Sequence, residues 1–220
     1  MGEPADRSPG RGRLIALEGI DGSGKTTQAR LLAATGTWAG NIIFTAEPGA
    51  TALGTELRAL LLNRHLPPVA ERTEALLMAA DRAQHVAEVV APALLAGRWV
   101  VTDRFSGSTL AYQGYGRGLD LADLARLVDW ATRGIEPDLN VLVDVPLDVA
   151  RHRRQGGADD RLEGLGADFH ERVRDGYLAL AAADHARWVV IDGTGHVDEV
   201  AERLSTAVVA RLGPPPGTGL

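Results

Sequence analysis

Five short apolar runs punctuate the chain: Leu14–Glu18, Asn41–Thr45, Trp99–Asp103, Leu139–Val145 and Trp188–Asp192. They are rich in β-branched residues and bounded by Gly, Pro or Asp. Runs that stay apolar rather than alternating with polar residues read as strands covered on both faces, which points to a parallel sheet. Between them apolar positions recur at helical spacing. Leu121, Leu124, Val128 and Ala131 follow Asp120 as an N-terminal cap and stop at Gly134. A second stripe through Leu76, Leu77, Ala80, Ala83, Val86 and Val90 predicts a helix from about Arg72 to Ala96, kinked at Pro92 and ended by Gly97. Strands alternating with helices predict a three-layer α/β fold, a five-stranded parallel sheet flanked by helices. Ligands of such a sheet gather beyond the carboxyl ends of its strands. Residues 1–12 and 213–220, rich in Gly and Pro, read as disordered tails around a single domain spanning 13–212.

Composition narrows the partners. The 220 residues, 45% of them apolar, suffice for one well-buried core. A net charge of −6 argues against a nucleic-acid polymer or an anionic membrane as partner, since both call for an excess of positive charge. Without cysteine there is neither a disulfide nor a thiolate metal site, and no apolar stretch approaches the roughly 18 residues of a membrane span. The first dozen residues lack the apolar segment of a secretion signal, so a cytoplasmic location is expected. The six histidines show no metal-ligand spacing and read as surface or satisfied core residues.

Of the 23 basic residues only Lys25 is a lysine. It stands in GIDGSGKT, Gly19 to Thr26, after one apolar strand and before a helix-compatible segment, which is the order a phosphate-binding loop requires. Gly19, Gly22 and Gly24 free the backbone to turn its amides, with those of Ile20, Asp21 and Ser23, toward one anion. Lys25 reaches the β and γ phosphates, Thr26 places its hydroxyl on Mg²⁺, and Thr27 adds a second hydroxyl. After the third strand comes Asp103-Arg104. The carboxylate suits Mg²⁺, its waters or the orientation of an attacking phosphate oxygen, and the guanidinium suits a phosphate; a capping Asp paired with an Arg is the plain alternative. Arg58, in an apolar helical stretch, stands between a surface charge and a ligand contact.

The stretches Leu17–Gln28, Asp103-Arg104-Phe105, Ser108–Gly114, Thr73–Arg82, Pro137–Leu139, Asp160–Glu163 and Phe169–Val173 together resemble the bacterial thymidylate kinase family, and the likeness extends from Arg13 to about Leu212. The resemblance implies a nucleoside monophosphate kinase of the P-loop NTPase fold that moves the γ-phosphate of ATP to dTMP with Mg²⁺, usually as a homodimer. It implies Arg58 and Arg104 on the dTMP phosphate, Arg82 and Gln113 on the thymine edge, Ser108, Thr109 and Tyr112 around the pocket, and Asp21 on the sugar 3′-hydroxyl or in the metal shell. Met78 stands where the family usually has a phenylalanine stacked on thymine, and offers a soft thioether without a ring face. Ala46 and Ala50 replace the family's more usual arginine and glycine. A kinase for dUMP or CMP is the second reading, and a P-loop ATPase switch the third.

Residues 151–163, carrying Arg151, Arg153, Arg154 and Arg161 with two glycines, suit a mobile lid closing over phosphates, with a solvated basic face as the bland alternative. The phosphate loop holds no arginine, so the cation for the transferring phosphoryl group is expected from Arg153 or Arg154, with Arg161 third.

Overall fold

The computed structural model describes residues 11–34, 42–154 and 165–215. Strands β1 (Leu14–Glu18), β2 (Ile42–Ala46), β3 (Trp99–Asp103), β4 (Leu139–Asp144) and β5 (Trp188–Asp192) form one parallel sheet in the order β2-β3-β1-β4-β5. Around it lie α1 (Lys25–Ala34), α2 (Ala52–Leu62), α3 (Glu71–His85), α4 (Ala91–Leu95), α5 (Ser106–Thr109), α6 (Leu121–Thr132), α7 (Leu147–Arg154), α8 (Ala167–Ala183) and α9 (Val197–Leu212).

Side chains alternate across the strands, so each strand feeds two cores. Ile15, Leu17, Val101, Val141 and Val143 meet Ala29 and Leu32 of α1 and Val200, Leu204 and Val208 of α9. On the opposite face Leu14, Ala16 and Val100 meet Val86, Val90 and Leu94, while Leu142 packs with Phe169, Val173 and Tyr177 of α8. Burial on both sides explains why the strands read as unbroken apolar runs. Leu17 of the central β1 is in register with Asp103, which sets the end of β3 beside the loop that follows β1.

Several boundaries differ from expectation. β2 ends at Ala46, one residue past Thr45, because Ala46 still pairs with Asp103. β4 stops at Asp144, whose ladder partner Asp192 is the last residue of β5, and Val145 falls outside before Pro146. The predicted helix over 72–96 is divided before Pro92 rather than at it. A π-helical turn, Val86–Val90, interrupts it, and the Ala91 N–H bonds to the Val86 carbonyl five residues back. Pro92 then falls in the first turn of α4, where an N–H is not required.

The apolar stripe of α3 also differs. Leu76 is 58% exposed and Ala80 faces out, while Glu74, Ala75, Ala79, Asp81, Arg82 and His85 are buried. Polar groups that pair with residues of other elements have taken the inward face of the helix, an arrangement that hydrophobic periodicity alone could not anticipate. α6 follows its signals: the Asp120 side chain accepts from the Asp123 N–H, Leu124, Val128 and Ala131 are buried, and left-handed Arg133 leads into Gly134.

Candidate active site

β1 delivers the chain into the phosphate loop, and α1 begins at Lys25. Gly19 has φ 145°, and a Cβ there would lie 2.7 Å from the Val143 carbonyl oxygen, so only glycine fits between the loop and β4. The Lys25 side chain is buried over the loop, where Nζ donates to the Ile20 carbonyl at 3.3 Å and to Asp21 Oδ1 at 3.4 Å. Burial, and next the Arg104 guanidinium, push this ammonium below its ordinary pKa, while Asp21 and Asp103 pull it back. Ser23 Oγ is buried with no hydrogen-bond partner among the described residues. Thr26 Oγ1 donates to Asp103 Oδ2, and Asp103 Oδ1 is a second buried oxygen without a partner. A hydroxyl and a carboxylate with an unused acceptor, side by side at a phosphate loop, fit Mg²⁺, which takes one or two protein oxygens and fills its octahedron with water and phosphate. Thr27 is exposed on α1 and does not line the cavity, and Ile20 packs into the core.

Arg104 has the left-handed φ of 71°, which turns its side chain back across the loop. Nη1 donates to the Gly19 carbonyl (3.1 Å), Ser108 Oγ (3.0 Å) and Tyr177 Oη (3.1 Å). Nη2 donates to Asp21 Oδ1 (2.5 Å) and Tyr112 Oη (3.1 Å), and the guanidinium lies 4.8 Å from the centre of the Tyr112 ring. Against the burial that would raise it, Arg104 first and then Lys25 hold the Asp21 carboxyl well below the usual carboxylate range. Beneath this cluster lies Glu18, fully buried. It accepts from the Phe105 and Ser108 N–H groups, from Ser108 Oγ at 2.6 Å and from Tyr177 Oη at 3.1 Å. Burial raises its pKa against the pull of those donors.

The inward face of α3 supplies the other wall. Arg82 donates to Glu47 Oε2 (2.8 Å), Thr109 Oγ1 (2.8 Å) and the Phe105 carbonyl (2.9 Å). His85 bridges Glu47 Oε1 and Thr45 Oγ1, both at 2.7 Å, so it is a satisfied core histidine. Asp81 Oδ1 accepts from the Gly49 N–H at 3.0 Å, its Oδ2 has no partner among the described residues, and burial, then Glu47, raises its pKa to about 6. Arg58 Nη1 donates to the Pro48 carbonyl at 2.9 Å. These groups enclose a cavity of about 160 Å³. Asp21, Lys25, Thr26, Asp103 and Arg104 line it together with Arg58, Met78, Arg82, Ser108, Thr109, Tyr112 and Gln113.

α7 brings the lid arginines to the loop. Arg153 donates to the Ser23 carbonyl at 3.1 Å and to the Gly193 carbonyl at 3.0 Å. Arg154 packs its stem near Gly22, and its Nε and Nη1 are buried without a partner among the described residues. Arg161 and most of the expected lid lie outside the described residues. Sequence reasoning passed over Glu18, Glu74, Asp81 and Tyr177 as site residues. Glu18 alone carried a signal of its own, a carboxylate at the end of an apolar strand; Glu74, Asp81 and Tyr177 lie on helices already rich in polar residues.

The chain matches the family model described as thymidylate kinase over residues 17–204. It is similar to the thymidylate kinase of Geotalea uraniireducens, 46% identical over 209 residues, covering 91% of this chain and 98% of that one. It is also similar to that of Carboxydothermus hydrogenoformans, 50% identical over 193 residues, covering 86% and 93%. Among solved structures, the thymidylate kinase of Ehrlichia chaffeensis superposes with a TM-score of 0.73 at 31% identity, covering 90% of this chain and 99% of that one.

Proposed function

The chain belongs to the thymidylate kinase family, and from that membership and the shape of the cavity we infer that it transfers the γ-phosphate of ATP to dTMP, releasing ADP and dTDP. One observation carries the reading: a single cavity is lined both by Lys25 of the phosphate loop and by Arg58 and Arg104, which suit a second anion. Relatives similar over nearly the whole chain are thymidylate kinases, so neither a dUMP or CMP kinase nor an ATPase switch is favoured.

In this reading the loop amides and Lys25 hold the β and γ phosphates of ATP. Arg58 and Arg104 take the dTMP phosphate, and Arg104 exchanges part of its internal hydrogen bonding for phosphate oxygens. Arg82 and Gln113 meet the thymine edge, Met78 lies against the ring, Ser108, Thr109 and Tyr112 close the pocket, and Asp21 receives the sugar hydroxyl. Thr26 and Asp103 would hold Mg²⁺, which when bound neutralises charge on the β and γ oxygens. The acceptor phosphate is already an anion near neutral pH, its second pKa being about 6, so no side chain has to remove a proton. What remains is to align two anions and balance their charge in a place that excludes water.

Of the two lid candidates, Arg153 is committed to two backbone carbonyls and fastens α7 to the loop. Arg154, with two buried N–H-bearing nitrogens unmatched, supports assignment as the cation that meets the phosphoryl oxygens. A homodimer is supported by exposed Leu53 and Leu60 of α2, Leu76 of α3 and Leu121 of α6, since α3 packs against both other helices. Among the described residues no helix is long and apolar enough to cross a membrane. We place the enzyme in the cytoplasm, where ATP is supplied.

The test is a coupled ADP-release assay with ATP, Mg²⁺ and dTMP, dUMP, CMP or GMP. ADP release dependent on dTMP, and reduced on the order of 100-fold or more in Lys25→Ala, is expected. Release driven only by another nucleotide would reject the substrate assignment.

A further inference from the structure

Gln113 carries an amide whose carbonyl and NH₂ ends are alike in shape and opposite in hydrogen bonding. Which end meets a ligand depends on what lies behind it. The residue sits on a π-helical turn, Leu110–Gly116, and lines the cavity. Behind it, on the buried face of α3, stands Glu74, fully buried and not part of the cavity lining. Gln113 Nε2 donates to Glu74 Oε1 at 2.9 Å. Arg117 grips the same carboxylate from the other side, with Nη2 2.8 Å from Oε2 and Nε 3.3 Å from Oε1. Arg117 is itself seated 5.3 Å from the centre of the Phe169 ring.

We propose that Glu74 is a positioning residue for base selection: clamped by Arg117, it fixes the Gln113 amide with its carbonyl toward the cavity and so selects pyrimidines that carry a hydrogen on N3. A carboxylate held by a guanidinium offers acceptors only, so the amide must turn its NH₂ group to it. The carbonyl oxygen is then what the pocket presents. Thymine and uracil have an N3–H to donate, whereas the N3 of cytosine is a bare acceptor and would face this oxygen with a lost hydrogen bond and a repulsion. Sites that hydrogen-bond one base edge reject the edge that cannot answer far more strongly than sites that read shape alone. The inference rests on the function proposed above, in which Gln113 meets the pyrimidine.

Glu74→Gln is the discriminating variant. The new amide keeps its oxygen on Arg117 Nη2, the shorter contact, and turns its NH₂ to Gln113, which must then offer its own oxygen inward and its NH₂ to the pocket. We compare kcat/KM for dTMP, dUMP and dCMP in the parent and in Glu74→Gln, with Arg117→Met, which loosens the clamp, as a second variant should the first not fold. The ratio of dTMP to dCMP is expected to fall about 10-fold or more. The ratio of dTMP to dUMP, which share N3–H and differ only in a methyl group, is expected to stay within about twofold. General damage to the fold would lower all three acceptors together and leave both ratios unmoved, and that result would overturn the proposal. A parent that phosphorylates dCMP as readily as dTMP would overturn it too, while leaving the kinase assignment standing. A parent with no activity on dTMP would remove both.

Discussion

Asp81 gives the account a quantitative handle. Its carboxyl is buried under the turn that follows β2, next to Glu47, and its pKa rises from the ordinary 3.8 to about 6. Below about pH 4 the group is protonated in both folded and unfolded chains and adds no pH dependence. Between pH 4 and 6 the unfolded chain releases the proton while the folded one keeps it, so stability falls as pH rises, and above pH 6 the full cost remains. At about 1.4 kcal/mol for each pH unit, the span from 3.8 to 6 corresponds to about 3 kcal/mol. Asp81→Asn removes the titration and keeps an oxygen to accept from the Gly49 N–H. An NH₂ group in place of the unpartnered Oδ2 costs a constant ~1–3 kcal/mol at every pH. Urea unfolding of both proteins from pH 4 to pH 8 is the assay. The stability of Asp81→Asn relative to the parent should climb by about 2.5 kcal/mol between pH 4 and 7 and then level off. Carboxylates remote from Asp81 are common to both chains and cancel in the difference. A difference that stays flat across this range, or one that falls, would refute the reasoning.

Arg154→Ala should lower kcat by about 1000-fold with little change in the KM for ATP, as expected for a cation used in the transition state. Arg153→Ala, which unties α7 from the Ser23 and Gly193 carbonyls, should act mainly on the KM for ATP; steady-state kinetics with ATP varied separates the two, and equal losses of kcat would remove the assignment. Leu76→Glu on the exposed face of α3 should halve the mass of the proposed homodimer in light scattering, with melting temperature read alongside; a parent of monomer mass would reject the dimer, and an unchanged dimer mass would move the interface elsewhere.

Much of this site is legible in the sequence, because the phosphate loop is local in it. The loop from Gly19 to Thr26 carries its own glycines, lysine and hydroxyl, and the apolar run before it fixes where it sits on the sheet. Asp103 and Arg104 were legible for the same reason, as polar residues at the tip of an apolar strand. The wall formed by α3 is assembled at long range, and there periodicity misleads. The inward face of α3 holds Glu74, Asp81, Arg82 and His85, and each is tolerable only because a partner from another element meets it: Gln113 and Arg117 for Glu74, the Gly49 N–H for Asp81, Glu47 for Arg82 and His85. A helix read alone puts its leucines inside. Glu18 was passed over likewise, since its four donors come from residues 105, 108 and 177. The π turns at Val86–Val90 and Leu110–Gly116 shift the helical register by an extra residue, which no apolar pattern records, and the second of them carries Tyr112 and Gln113 into the cavity.

The central claim is that two nucleotides lie end to end in one cavity, their phosphates meeting between Lys25 and Arg104. Calorimetric titration with a bisubstrate, adenosine and thymidine joined through a chain of phosphates, tests it most directly. Linking two ligands that occupy adjoining sites removes the cost of bringing the second one in, so the joined molecule should bind at least about 100-fold more tightly than ATP or dTMP alone. Affinity no better than that of the stronger single nucleotide would mean that the two sites do not adjoin.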